Sequence, residues 1–171
     1  MGLRFRVNGQ DVEVEARPDE MLLDVLRREL GLKSVRQTCG IGVCGACTAL
    51  LDGGPISTCI LLAPLAEGSE ITTVEGLGGD HPVQRAFVEA EAFQCGYCTP
   101  GMILTAKRLL EEDPKPTSQK IRTYFGGNLC RCGCYAKIED AVNLAATAGA
   151  PDKGQIEGIG VLRNRIGEKG A

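Results

Sequence analysis

The sequence predicts an α+β chain in two parts: strands gathered around one helix, then helices without strands. Three observations predict it. Period-two alternation of apolar and polar residues dominates the first part, as in "LRFRV" and "VEVEA". Helical spacing takes over after "GLGGD" at 76–80. Nine cysteines, at 39, 44, 47, 59, 95, 98, 130, 132 and 134, fall into two sets, one in each part.

The elements follow in order. "LRFRV" and "VEVEA" flank Asn8-Gly9, the residue pair of a tight hairpin turn. After Pro18, Leu22, Leu23, Leu26 and Leu30 recur at helical spacing, with Asp19 as the expected cap and Gly31 as the stop. Glu20 and Asp24 read with Asp19 as cap and solvated helix face. "TALL", "DGG" and "PIST" read as strand, turn and strand, and "EITTV" as a last short strand. Four helices follow: "PVQRAFVEAEA"; "TPGMILTAKRLLEED", capped by Thr99 and stopped by Pro114; "TSQKIRTYF", ended by Gly126-Gly127; and "AKIEDAVNLAATAG". The expected division is 1–76, 77–150 and a tail over 151–171.

Composition narrows the function classes. A net charge of −3 without a long Lys/Arg run argues against nucleic acid and anionic membrane as main partners. No apolar run approaches the roughly 18 residues of a membrane span. The start, "MGLRFRVNGQ", has no apolar signal core, so the expected location is cytoplasmic. An odd number of cysteines without an export signal is a poor disulfide framework. A single histidine, His81, disfavours Cys/His zinc fingers and Rieske centres. It stands just before Pro82 and reads as a helix cap or a surface residue.

The cysteine spacing carries the chemistry. Cys39, Cys44, Cys47 and Cys59 read C-x4-C-x2-C-x11-C, and the opening C-x4-C-x2-C is the plant-type [2Fe–2S] ferredoxin spacing. Gly40, Gly42 and Gly45 between them let a loop wrap a cluster closely and aim backbone N–H groups at its sulfurs. A zinc knuckle would more often show two C-x2-C pairs. Cys95, Cys98, Cys130 and Cys132 form C-x2-C and C-x-C pairs, which by themselves suit zinc or a cluster. A thioredoxin-type redox pair is a third reading, weakened by the lack of a βαβ pattern. No nucleophile–base pair or phosphate loop accompanies either set.

"CGIGVCGACTALLDGGPISTC", "QCGYCTPGMI" and "GNLCRC" followed by Tyr, in that order, resemble the iron–sulfur subunit of the molybdenum hydroxylases. That family includes xanthine dehydrogenase, aldehyde oxidoreductase and carbon monoxide dehydrogenase. The resemblance covers about residues 3–148 and implies a β-grasp plant-type ferredoxin domain followed by an all-α four-helix [2Fe–2S]-binding domain. It implies one cluster on Cys39, Cys44, Cys47 and Cys59, nearer a flavin, and a second on Cys95, Cys98, Cys130 and Cys132, nearer a molybdenum–pterin cofactor. Gln94 and Cys132 would contact that pterin. The implied partners are a large molybdenum-cofactor subunit and a medium FAD-binding subunit, in a hetero-oligomer whose small subunit relays electrons and does no substrate chemistry itself.

One departure stands out. The family's C-R-C-T-G-Y is "CRCGCY" here, which adds Cys134, read as a small buried thiol. Arg131, between two ligands, would either tune a cluster or make a salt bridge. Apolar residues of the tail (Ile156, Ile159, Val161, Leu162 and Ile166) suggest that 155–166 packs on the molybdenum subunit. Two further readings compete: a free-standing two-cluster ferredoxin, and a zinc-dependent adaptor without redox chemistry.

Overall fold

The computed structural model describes residues 1–148. The expected tail over 151–171, and its docking segment, lie outside the described residues. The first strands are β1 (Gly2–Val7) and β2 (Gln10–Glu15), antiparallel with Val7 opposite Gln10. Asn8 and Gly9 both have positive φ, 51° and 78°, which is the hairpin turn the Asn-Gly pair predicts. Helix α1 (Leu22–Arg28) follows, then β3 (Thr48–Leu51), β4 (Gly54–Ser57) and β5 (Glu70–Thr72).

The sheet order is β2-β1-β5-β3-β4, with β1 parallel to β5 and the other pairs antiparallel. The apolar side of this sheet and of α1 meet in one core, through Leu3, Phe5, Val7, Leu22, Leu26, Val35 and Ile71. This is the β-grasp arrangement. Alternation in β1 is literal: Leu3, Phe5 and Val7 are buried while Gly2, Arg4 and Arg6 are exposed.

Two local expectations fail in this part. Asp19 does not cap α1; Met21 occupies the cap position without a side-chain bond, and Asp19 pairs instead with Arg17 at 3.1 Å. Glu20 is no solvated residue: it is 3% exposed, ion-paired with Arg28 and bonded by the Arg17 N–H at 3.1 Å. A buried carboxylate needs such partners, and they are reached only by the fold around it.

The chain then passes through a short 3₁₀ turn, Val74–Leu77, and two left-handed glycines, Gly78 and Gly79. Helices α2 (Pro82–Glu89), α3 (Thr99–Glu112), α4 (Ser118–Tyr124) and α5 (Tyr135–Thr147) enclose a second core. Phe87, Met102, Leu109, Ile121, Phe125, Ile138 and Val142 fill it. Thr117 caps α4, accepting the Lys120 N–H. Thr99 does not cap α3. Cys98 holds the cap position, and the Thr99 hydroxyl is buried without a hydrogen-bond partner.

His81 caps α2, its Nδ1 accepting the Val83 N–H at 3.2 Å, while the Gln84 side chain accepts the His81 N–H. The cap requires a neutral Nδ1. Burial first, then Lys107, lowers the His81 pKa below 6.5. The folded protein therefore resists protonation more than the unfolded chain does. Stability from this residue is complete above about pH 6.5 and declines as pH falls below it. Urea unfolding at pH 5 and pH 7.5 is expected to show this loss, and His81→Asn, which keeps an acceptor, is expected to flatten it.

Candidate metal centres

Both thiol sets lie on loops held by the ends of regular elements. The Arg27 guanidinium donates to the carbonyls of Lys33 and Val35, at 3.3 and 2.7 Å, and so orders the approach to Cys39. Cys47 and Cys59 are brought together by the β3–β4 hairpin. The Thr58 hydroxyl donates to the Cys47 carbonyl at 2.8 Å. Gly40, Gly42 and Gly45 all have positive φ, as the loop reading requires. The Ile41 N–H reaches Cys39 Sγ at 3.5 Å. That N–H first, then that of Val43 and the Cys44 thiol, holds the Cys39 thiol down to about 6. Burial first, then Cys47, pushes Cys59 up to about 11.

In the second set, Cys95 and Cys98 lie between α2 and α3, and Cys130 and Cys132 lie in the turn before α5. The Cys130 N–H donates to the Tyr135 hydroxyl at 2.8 Å, and the Cys134 N–H reaches Cys130 Sγ at 3.4 Å. The Tyr97 N–H first, then the Cys132 thiol, lowers Cys95. Burial first, then Cys130, pushes Cys98 up to about 12. Cys134 is buried, as expected, and caps α5 through its backbone. Gly133, in the unusual "CRCGCY" turn, has φ 76°, so a glycine still serves the left-handed position there. Arg131 is exposed and makes no salt bridge among the described residues.

Eight of the thiols face one another in twos, Cys39 with Cys44, Cys47 with Cys59, Cys95 with Cys132 and Cys98 with Cys130, and the ninth, Cys134, also faces Cys130. Among the described residues, no three Cys, His, Asp or Glu side chains converge closely enough to ligate one metal ion. Structural zinc needs four donors on one centre. Two thiol pairs in each set would suit a two-iron centre better than a single zinc ion. N–H groups aimed at ligand sulfur, and an unpartnered buried hydroxyl on Thr99 beside Cys98, suit a group rich in acceptor sulfur.

The two loops abut. The Leu129 N–H donates to the Cys44 carbonyl at 2.9 Å. Leu129 immediately precedes Cys130, so one hydrogen bond and one peptide unit separate residues of the two sets. Gly101 in the first turn of α3 packs on the first loop: a Cβ there would lie 2.2 Å from the Gly45 carbonyl oxygen. A Cβ on Gly45 would lie 2.6 Å from the Gly127 carbonyl oxygen. Sequence reasoning missed this contact, although a glycine in the first turn of "TPGMI" is a costly helix residue that asks for a packing reason.

The surroundings of the loops differ. Ile41 and Val43, 69% and 55% exposed, project around the first, together with Ile60. Beside the second, Gln94, Phe93, Gly133, Cys134 and Lys137 line an open groove of about 660 Å³. Gln94 is exposed there. Among the described residues, no helix is long and apolar enough to cross a membrane.

Comparison with known proteins agrees with this geometry. Residues 5–73 match a family described as a 2Fe-2S iron-sulfur cluster binding domain, and residues 73–143 match a [2Fe-2S] binding domain. The chain is 47% identical over 146 residues to the nicotinate dehydrogenase small FeS subunit of Eubacterium barkeri, a match covering 84% of this chain and 93% of that protein. Quinoline 2-oxidoreductase of Pseudomonas putida 86 superposes with a TM-score of 0.83 at 40% identity, over 88% of this chain and 98% of the matched one. Aldehyde oxidoreductase of Desulfovibrio desulfuricans also gives 0.83, at 42% identity over 86% of this chain, but this chain spans only 17% of that one. Two such domains in tandem place two [2Fe–2S] clusters on the chain. The chain belongs to the molybdenum hydroxylase family, as an iron–sulfur, electron-transferring subunit.

Proposed function

We propose that Cys39, Cys44, Cys47 and Cys59 hold one cluster, that Cys95, Cys98, Cys130 and Cys132 hold the other, and that the chain divides between them near residue 76. The observation that carries this reading is the abutment of two paired thiol sets through the Leu129–Cys44 hydrogen bond. Each bound cluster accepts and releases one electron at a time. The chain's own residues do the rest. Backbone N–H groups of Ile41 and Cys134 donate to ligand sulfur, which favours the more negative, reduced state. Gly45 and Gly101 permit close approach of the two loops, and Leu129 and Cys44 join them.

The second set faces a large molybdenum–pterin subunit in this reading. Exposed Gln94, on the groove beside Cys134, meets the pterin, as does half-buried Cys132, which precedes Gly133 at the groove's edge. The first loop, with its apolar rim of Ile41, Val43 and Ile60, faces a medium FAD-binding subunit. The substrate pocket then lies on the partner, and no acid–base machinery is needed here. Nine unbridged thiols suit the reducing cytoplasm.

The test is the assembly isolated from its host. It is expected to contain molybdenum and flavin, and substrate without any other reductant is expected to reduce both clusters of this chain. An isolated monomer that exchanges electrons with soluble partners would instead make it a free-standing ferredoxin.

A further inference from the structure

Arg36 is the half-buried cation between the two loops, and among the described residues it has no carboxylate partner. Its Nη1 donates to the carbonyls of Gly96 and Tyr97, at 2.6 and 2.8 Å, inside the Cys95–Cys98 loop. The guanidinium lies 5.0 Å from the centre of the Tyr97 ring. The Tyr97 hydroxyl donates back to the Gln37 carbonyl at 2.8 Å, two residues before Cys39. The Arg36 N–H, in turn, donates to the Ala46 carbonyl at 3.1 Å, within the first loop. One residue thus spans both thiol loops, some 60 positions apart in the chain.

The decisive detail lies in a single peptide unit. The carbonyl of the Gly96–Tyr97 peptide accepts from Arg36, and the N–H of that same peptide belongs to the Cys95–Cys98 loop that would wrap the second cluster. In a trans peptide these groups point in opposite directions. A cation on the oxygen polarises the unit and makes its N–H a stronger donor. A ferric [2Fe–2S] centre with four thiolates is dianionic, and its reduction adds a third negative charge. The counter-charge missing around Arg36 is available there.

We propose that Arg36 is a positioning residue for the second cluster, raising its reduction potential through the Gly96–Tyr97 peptide while locking the two cluster loops together. This rests on reading Cys95, Cys98, Cys130 and Cys132 as a [2Fe–2S] site. The iron count tests that reading, and the potential tests this one.

The experiment is an EPR-monitored redox titration of the assembled protein carrying Arg36→Gln, Arg36→Lys or Tyr97→Phe. Arg36→Gln, with full iron, is expected to make reduction of the second cluster about tenfold less favourable, a shift of about 59 mV for a one-electron couple. The first cluster, which lacks the peptide relay, is expected to move less. Arg36→Lys keeps the charge but not the planar, multi-donor contact, so it is expected to shift the second cluster in the same direction by less. Tyr97→Phe keeps the peptide and the Arg36 bonds and is expected to hold the potential. An unchanged second potential in Arg36→Gln overturns the proposal, as does an equal shift of both clusters. If Arg36→Gln binds less than full iron, the same comparison made on Arg36→Lys decides.

Discussion

Cys130→Ser is expected to leave the chain with about half its iron and acid-labile sulfide, and with one of two EPR signals. Cys44→Ser is expected to remove the other half. Serine offers a hard oxygen in place of a soft thiolate, and iron–sulfur centres select the thiolate. The two variants should differ in stability. Cys130 is packed into the second core, beside Ile103, Phe125 and Ile138, so losing its cluster removes a cross-link between the α2–α3 loop and the α5 turn. Cys44 is buried but belongs to neither core cluster, and Leu129 docks on its carbonyl, so its loss should spare the α2–α5 core. In the assembled protein, Cys44→Ser should stop electron flow to flavin while substrate still reduces the remaining cluster. Full iron with an altered signal in Cys130→Ser would mean that Cys134 had taken over as ligand. Flavin reduction at the normal rate in Cys44→Ser would contradict the order of the relay.

Gly101→Ala is expected to be unusually costly for so small a change. The added carbon would lie 2.2 Å from the Gly45 carbonyl oxygen, well inside van der Waals contact, and what it meets is backbone. Either α3 shifts away from the first loop or the loop gives way. Overpacking of this kind costs about 1–3 kcal/mol, which corresponds to roughly 2–12 °C in Tm for a chain of this size. The same shift would lengthen the Leu129–Cys44 hydrogen bond. Thermal unfolding measures the first effect. The magnetic interaction between the two reduced clusters measures the second, and it is expected to weaken. A Tm and an EPR spectrum identical to those of the unmodified protein would show that the loop contact is not tight.

Much of the fold can be read in the sequence because its causes are local. Asn8-Gly9 dictates a hairpin turn, alternation at Leu3, Phe5 and Val7 marks the buried sheet face, and Pro82 and Thr117 mark helix starts. The thiol sets are legible for a similar reason, since a cluster demands closely spaced cysteines and small residues between them. What was not legible depends on distant partners. Glu20 looks like one more acidic residue at a helix start until Arg28 and Arg17 close over it. Thr99 has a capping residue's identity, but Cys98 takes the cap position because the chain turns there, with Cys98 toward Cys130 and Cys95 toward Cys132. Arg36 carries no local pattern at all. Its meaning appears only when residues 96 and 97 arrive beside it.

The relay depends on two [2Fe–2S] clusters standing in series on this one chain. Iron, zinc and acid-labile sulfide per chain on anaerobically purified protein, with EPR after dithionite reduction, test that dependence without any partner present. About four iron and four sulfide per chain are expected, with no stoichiometric zinc and two distinct S = 1/2 signals. About two iron with zinc, or a single signal, would contradict the relay and would make the second thiol set something other than a cluster site.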